Sequence, residues 1–303
     1  MGNNLRNALL FTTDLPHPYN KIGDGPEGPE VRTVADKLRP YLVSRVISKF
    51  YKGERAKSVG LENLRTPATI TSVRSHGKKI IFDLSTNQSI IISLGMVGRL
   101  QYTAGDHSHV SFEISDSIKK GLFNLLTPAF ILYYDDYRYM GAVDCIPTEG
   151  FPLYFRDIGP DLLQLALDEK TWISLPLWLS IFQIKKTAKW EISKTLLEQN
   201  FVSGIGWYLV TEILYYSGIH PERIGESITT EEWDRIRINS HKIINLSYAY
   251  GGFTIKDFIS PDGKYGTYPA AVYGKTHDPM GNIVINKKVK NGRTAHYVPA
   301  IQH

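Results

Sequence analysis

The spacing of apolar residues changes character along the chain. After Gly28, the positions Val31, Val34, Leu38 and Leu42 recur three or four apart, which predicts a helix. Pro29 suits its first turn and Glu30 the positive end of its dipole. From Arg45 to about Val143 the pattern is that of strands. "ATITSVRS", "KIIFDLS", "SIIISL", "VSFEIS" and "FILYYDD" alternate or are dense in β-branched and aromatic residues. Between them "SHGK", "STNQ" and "AGDHS" are turn material. "IPTEGFPLYFRDIGPDLL" is broken by proline and glycine and reads as a linker. Helical spacing then returns in "KWEISKTLLEQ" and in "GIGWYLVTEILYYSG", where Ile205, Leu209, Ile213 and Tyr216 form one stripe. It returns again in "WDRIRINSHKIINLSYAY", ahead of which Thr229 and Glu232 have capping-box spacing. Gly251 and Gly252 close that helix. The C-terminal segment goes back to strand in "AAVYGK" and "IVINKKV", and "NGRT" between two strand-like runs predicts a hairpin. The residues before Pro26 show no clear periodicity and read as a loop or disordered arm.

Composition narrows the class. A chain of 303 residues, 42% hydrophobic and 21% charged, is ordinary for a soluble protein of about two domains. No apolar run is long enough to span a bilayer. "NALLF" is too short for a signal-peptide core, and "MGNNLR" has Arg6 where a myristoylation signal wants Ser or Thr. An intracellular location is expected. The net charge is +5, and from Ala271 onward five Lys/Arg face one Asp, which hints at a nucleic-acid partner. The single cysteine, Cys145, rules out a disulfide framework and a multi-cysteine zinc site. It reads as a buried structural residue rather than a catalytic thiol.

Five constellations carry candidate chemistry, each with a plainer alternative. The glycines of "GIGW" let a backbone N–H approach a phosphate at a helix start, or simply make a tight turn between helices. Arg293 stands at the tip of a basic hairpin with Lys287, Lys288 and Lys290 before it. It could grip a nucleotide or be a solvated turn. Lys78 and Lys79 sit at the head of a strand, where a lysine is usually solvated. His107 and His109 lack an evident third metal ligand and read as turn histidines. Met96, Arg138 and Met140 are core filling and surface charge by pattern, or a wedge into a base stack.

Six motifs occur in a telling order: "PEGPEV" before a helix, a "GK" turn, "LGMVG", "DYRYMG", "IGPDLL", and "GIGWYLVTEIL" followed by "GIHP". Together they resemble the formamidopyrimidine-DNA glycosylase/endonuclease VIII family, from roughly Pro26 to the C-terminus. The ending "VYGKTHDPMGN…GRTAHYVPAIQ" resembles the endonuclease VIII-like branch whose finger has lost its zinc. The resemblance implies an α+β fold, with an N-terminal β-sandwich and leading helix, then a helix–two-turn–helix domain and a zincless β-hairpin finger. It divides the chain into an extension (1–25), a catalytic domain (26–150), a linker (151–168), a DNA-binding domain (169–252) and a finger (253–303). It implies a monomer that needs no cofactor, touches no membrane and acts on damaged DNA. Oxidised bases, pyrimidines above all, are excised and the abasic strand is then cut. By motif, Pro26 is the nucleophile, Glu27 the acid/base, Lys78 the turn lysine and Arg293 the finger arginine. Met96, Arg138 and Met140 fill the gap left by the extruded base. His107, Lys194, Gly206, Trp207 and Lys287 are expected DNA contacts.

The sequence departs from the family at four places. Ser93 stands where His often precedes "LGM", Trp207 replaces the usual Asn after "GIG", and Tyr139 replaces a second Arg. The fourth departure concerns mechanism. In the family the nucleophilic proline is the mature N-terminus, whereas Pro26 follows Gly25. Its nitrogen then belongs to a tertiary amide, with its lone pair delocalised into the carbonyl, and cannot form an iminium. The expected active form begins at Pro26. The alternative is a silent lesion- or abasic-DNA binding protein, with a non-enzymatic RNA-binding relative as a weaker third reading. No methionine lies at position 25, so a misassigned start is not the expected explanation.

Overall fold

The computed structural model describes residues 25–116, 128–254, 259–290 and 292–303. The arm before Gly25, and Asn291 of the hairpin turn, lie outside these residues. Contacts divide the chain into two units. One comprises Met1–Pro26, Val31–Arg156 and Ile255–Lys264, the other Glu27–Glu30, Asp157–Thr254 and Tyr265–His303. Ser260 and Asp262 group with the first unit rather than with the terminal hairpin. Both accept hydrogen bonds there from Lys37 Nζ, at 2.9 and 2.7 Å.

In the first unit, helix α1 (Gly28–Leu42) buries the stripe of Val31, Val34, Leu38 and Leu42 that its sequence spacing predicts. Eight antiparallel strands follow: β1 (Val46–Lys52), β2 (Ala68–His76), β3 (Lys79–Leu84), β4 (Gln88–Ser93), β5 (Arg99–Gln101), β6 (Ser108–Ser115), β7 (Pro128–Asp135) and β8 (Ala142–Pro147). Their order is β5-β7-β6-β1-β2-β3-β4-β8. The β1–β2 ladder is only two residue pairs long, Val46↔Thr69 and Ile47↔Ala68. Beyond Ile47, β1 runs with β6 instead, through an irregularity that re-aims it. The sheet thereby parts into the two layers of a β-sandwich. One buried cluster joins them, drawing Leu38 from α1, Phe112 and Leu132 from one layer, and Phe82, Ile90 and Cys145 from the other. Burial pushes the Cys145 thiol up to about 12, which suits an inert core residue. A short helix, α2 (Phe151–Tyr154), follows β8.

The second unit holds α3 (Leu162–Ala166), α4 (Leu175–Phe182), α5 (Ile192–Leu197), α6 (Trp207–Ser217) and α7 (Thr230–Ala249), then β9 (Ile285–Lys288) and β10 (Thr294–Tyr297). Helix α5 is only six residues long, shorter than "KWEISKTLLEQ" suggests. Its start is fixed from elsewhere: the N–H groups of its first two residues, Ile192 and Ser193, donate to Arg223 O and Pro221 O rather than to a preceding helical turn. Helix α6 is buried on nearly every side. Tyr216, expected on its buried stripe, is 48% exposed. Ser217 takes that place, because it is the residue four positions after Ile213. The "AAVYGK" strand is not formed; Ala271, Val272 and Tyr273 donate their N–H groups to a side chain instead.

Helix α7 begins with the full capping box: Thr229 Oγ1 accepts from Glu232 N, and the Glu232 carboxylate accepts from Thr229 N. Arg223 donates to both Glu232 oxygens, at 2.6 and 2.9 Å. Thr229→Ala is expected to cost about 1 kcal/mol in denaturant unfolding. The Arg223 hydrogen bond holds the Glu232 carboxyl below its ordinary value. The pair's contribution is therefore complete above the unfolded carboxyl pKa and fades as pH falls through the lower folded value. A Thr229→Ala loss under a few tenths of a kcal/mol would mean that Arg223 alone orders this helix start.

The hairpin pairs Lys288↔Thr294 through Tyr297↔Ile285. Its turn closes with Val289 N donating to Arg293 O and Gly292 N to Val289 O, both 2.9 Å. Gly292 has φ 82°, a conformation in which glycine carries no Cβ penalty. No helix among the described residues is long and apolar enough to cross a membrane.

Candidate active site

In the first unit, four of the sequence-predicted residues sit on loops tied to one another. Met96 follows β4, Arg138 and Met140 lie between β7 and β8, and His107 lies just before β6. A Cβ on Gly95 would stand 2.7 Å from Gly141 N and 2.9 Å from the Met140 carbonyl carbon, so the Met96 and Met140 loops touch through backbone. The Tyr134 hydroxyl donates to Ser93 O at 3.1 Å and lies 3.4 Å from Asp136 Oδ2. Asp136 in turn accepts from Arg138 N at 3.1 Å and Gly141 N at 2.7 Å. A Cβ at Gly98 or Gly141 would come within 2.6 or 1.9 Å of the Tyr134 hydroxyl. The glycines of "LGMVG" and "DYRYMG" thus leave room for a shared anchor. Burial and Asp136 hold the Tyr134 phenol well above its usual pKa, which keeps it a donor. His107 N donates to Asp135 Oδ1, and His107 O accepts from Asp136 N. Arg138 and His107 are exposed, whereas Met96 and Met140 are half-buried. His109 is buried, stacked on Tyr139 at 4.9 Å.

Pro26 meets the same loops through its neighbour. A Cβ on Gly25 would fall 2.1 Å from Gly95 O and 2.8 Å from Met96 Cα, so the residue before Pro26 is pressed against the Met96 loop. Lys78 is half-buried in the tight turn from β2 to β3, beside Gly77 at φ 55°. Lys79, the next residue, is buried and bonds Ser93 Oγ at 2.8 Å.

In the second unit, Glu27 closes the start of α6. Its carboxylate accepts from Gly206 N at 2.6 Å, Tyr208 N at 3.0 Å and Leu209 N at 3.4 Å. The positive end of α6 stabilises negative charge there. Of the N–H groups that the "GIGW" sequence could offer to a phosphate, that of Gly206 is engaged by this chain's own Glu27 carboxylate and that of Gly204 by Gln199 Oε1 at 3.1 Å. A Cβ on Gly206 would lie 2.2 Å from Glu27 Cδ, so Gly206 serves Glu27's approach. Glu30 accepts from Glu27 N at 2.9 Å, Tyr208 Oη at 2.9 Å and Phe253 N at 2.6 Å. Burial pushes its carboxyl up, while these donors pull it back.

Trp207 is 4% exposed, which leaves little of it to pack beside DNA as its sequence position suggests. Its indole N–H donates to Thr294 O at 2.7 Å, and the Arg293 guanidinium lies over its ring at 5.5 Å. Trp207 thus ties α6 to the hairpin and supports the arginine at its tip. Lys287 pairs with Glu222, while exposed Lys194 sits 3.9 Å over the Trp190 ring.

Sequence reasoning missed Tyr134, Asp136 and the structural use of Glu30, and the solvated reading it favoured for Lys79 does not hold, since that residue is buried. It also passed over Glu212, whose carboxylate accepts from Ala271 N at 2.7 Å, Val272 N at 3.0 Å and Tyr273 N at 2.9 Å. The readable signal was a carboxylate inside the apolar run "YLVTEILYY".

A β-sandwich with Met96, Arg138 and Met140 on linked loops, and a second unit of short helices and a basic hairpin, is the arrangement to set beside known proteins, and these place it among the DNA glycosylases of base excision repair. Residues 25–143 match the formamidopyrimidine-DNA glycosylase N-terminal domain, and residues 179–259 its H2TH domain. A formamidopyrimidine-DNA glycosylase of Exiguobacterium is 31% identical over 294 residues, covering 91% of this chain and 99% of its own. A Lactococcus lactis Fpg variant in complex with Fapy-dG-containing DNA superposes with a TM-score of 0.77 at 26% identity, covering 92% of this chain and 100% of that one. The wild-type Lactococcus lactis Fpg bound to DNA containing an oxidised pyrimidine gives 0.76 at 26% identity and the same coverage. The chain belongs to the formamidopyrimidine-DNA glycosylase family.

Proposed function

We propose that the chain, in a form beginning at Pro26, excises oxidised bases from DNA, pyrimidines among them, and then cuts the abasic strand. The observation that carries this reading is the backbone contact of Gly25 with Gly95 and Met96. That contact marks where the Pro26 nitrogen lies, beside the loop whose methionine is suited to filling a base gap. A target base must leave the stack, at a cost of a few kcal/mol. Met96, Met140 and Arg138 offset that cost by occupying the hole. The freed Pro26 amine, of a kind with pKa about 7.7–8.0, attacks C1′ as the base departs. Loss of the amine proton and opening of the C1′–O4′ bond, with O4′ taking a proton, give an iminium, which acidifies the C2′ proton and permits elimination of the 3′-phosphate. Glu27, next in the chain, is the proton shuttle. Lys78, Arg293, His107, Lys194 and Lys287 anchor phosphates and make binding salt-sensitive. The Lactococcus complexes with Fapy-dG and with an oxidised pyrimidine support an oxidised-base substrate.

The finger belongs, on this reading, to the endonuclease VIII-like branch without zinc. Its residues do not fit a zinc ion: Cys145 lies in β8, and among the described residues no three His, Cys, Asp or Glu gather. Asp278 organises the segment before the hairpin instead. Its carboxylate accepts from Met280 N, Asn282 N and Tyr215 Oη at 2.8–3.0 Å.

Base release from a duplex carrying one oxidised pyrimidine tests the reading, with protein shown to start at Pro26. Lys78→Ala, which loses a phosphate anchor and so the positioning of the sugar, should slow release by roughly 10²-fold, with a melting temperature within about a degree or two of the parent. Arg293→Ala should weaken product formation without unfolding, since a hairpin tip buries little. Unchanged excision in Lys78→Ala would remove that residue from the site, and no release by the parent would overturn the reading. The intact Gly25–Pro26 bond favours a second reading: a chain that keeps its leading residues binds lesion or abasic DNA without cutting it.

A further inference from the structure

The family resemblance passes over Lys79, and nothing in the mechanism above uses it, yet it is buried at a decisive place. It is the first residue of β3, directly after the turn that carries Lys78. Ser93 is the last residue of β4, directly before Leu94, Gly95 and Met96. The two face each other in register as the end rung of the β3–β4 ladder. Lys79 Nζ donates to Ser93 Oγ at 2.8 Å and lies 5.5 Å over the Tyr154 ring. The Tyr154 hydroxyl donates to Asp144 Oδ2 at 2.5 Å, and Asp144 Oδ1 accepts from Val59 N at 2.7 Å. On β2, His76 is the cross-strand neighbour of Lys79, its ring packed edge-on against Phe155. The groups facing the amine are thus Ser93 on β4, His76 on β2, the Tyr154 ring on α2 and the Asp144 carboxylate on β8. Ser93 is also the residue whose carbonyl receives the Tyr134 hydroxyl, so the rung connects to the anchor of the Arg138–Met140 loop.

We propose that Lys79, through its bond to Ser93, is a positioning residue. It fixes the departure of the Lys78 turn and the Met96 loop from the sheet, and it does so in its charged form. The proposal rests on the glycosylase reading. Ser93, which departs from the family's usual histidine, is the partner this lysine needs, because a small hydroxyl leaves room for the ammonium between strands. Burial lowers the Lys79 pKa to about 8, against a smaller opposing effect of Asp144. The rung therefore loses its charge within an accessible pH range.

Single-turnover base release by protein starting at Pro26, measured from pH 6 to pH 10, tests this. The wild type is expected to lose rate above about pH 8, where Lys79 discharges. The Pro26 amine gives the opposite slope, since it gains nucleophilicity as pH rises. Lys79→Met, which keeps length and removes charge, should lower the rate at pH 7 by roughly ten- to a hundredfold and abolish the alkaline decline. Ser93→Ala, which removes the acceptor of the Lys79 ammonium, should reproduce both the rate loss and the missing decline, and it carries the test if Lys79→Met does not fold. A lysine whose folded pKa is lowered disfavours the folded state while it is charged. The stability of the wild type relative to Lys79→Met should therefore rise between about pH 8 and the unfolded lysine value. A purely structural lysine would leave the pH profile unmoved. An alkaline decline that persists in Lys79→Met, or a Lys79 Cε resonance that titrates at an ordinary lysine pKa, overturns the proposal. If the wild type releases no base, the glycosylase reading falls. The pH dependence of binding to an abasic-analogue duplex then decides on Lys79: a wild-type decline absent from Lys79→Met supports the proposal, and identical profiles overturn it.

Discussion

Borohydride treatment of the chain that keeps Gly25 should trap no covalent complex with abasic DNA, while the chain that begins at Pro26 should trap one readily. The expected difference is all or none, because it rests on bonding rather than on fit. In the longer chain the Pro26 nitrogen is an amide nitrogen and has no free lone pair for a deoxyribose carbon. In the shorter chain it is a secondary amine with a pKa near the working pH. Gly25 has no side chain to collide with Gly95 and Met96, so the longer chain seats Pro26 without moving that loop. Both forms should therefore bind an abasic analogue with similar affinity, as a gel-shift titration would measure. An adduct mapped by mass spectrometry to Pro26 in a chain that keeps residue 25 would end the iminium mechanism. An adduct mapped to Lys78 would transfer the nucleophile to the turn.

Glu212→Leu should destabilise the second unit by about 3–6 kcal/mol and in many preparations leave it unfolded. Three backbone N–H groups, those of buried Ala271 and Val272 and of half-buried Tyr273, lose their acceptor together, as does the Tyr268 hydroxyl at 3.3 Å. Each orphaned donor costs roughly 1–3 kcal/mol, and a domain has only about 5–15 kcal/mol to lose. Those residues enter the segment that leads to β9 and the Arg293 hairpin, so activity should fall with stability. Glu212→Gln retains an acceptor oxygen and should cost less than half as much. Denaturant unfolding of both variants measures this, and a Glu212→Leu loss below about 1 kcal/mol would show that the loop's donors find other partners.

The elements were legible where the signal was local. The stripe of α1, the capping box at Thr229 and Glu232, and the hairpin around Gly292 all follow from spacings of a few residues. The length of α5 was not, because Arg223 and Pro221 take the N–H groups of Ile192 and Ser193 from a distant part of the chain. Tyr216 misled for a subtler reason: an α-helix permits steps of three or four, and only the neighbours decide which step stays buried. Among the site residues, motif order picked out Met96, His107, Arg138 and Met140, and the structure brings their loops together. It could not register the Tyr134 hydroxyl that joins them, since a tyrosine in a β-rich run looks like any other core aromatic.

By itself, the sequence determined the periods of the helices and strands and the absence of a multi-cysteine zinc site. It also determined that Pro26 cannot act while Gly25 precedes it, a statement about covalent chemistry that no fold alters. Only the tertiary structure decided where the polar groups found their partners. It sent the N–H groups of Gly206 and Tyr208 to Glu27, some 180 residues away in sequence, rather than leaving them open to a phosphate. It set Lys79 against Ser93 and placed Trp207 beneath Arg293. The reason is physical. Apolar periodicity reports which side of an element avoids water, a property of neighbouring residues. A buried donor or acceptor is satisfied by whatever the fold brings within about 3 Å, and that depends on the whole chain.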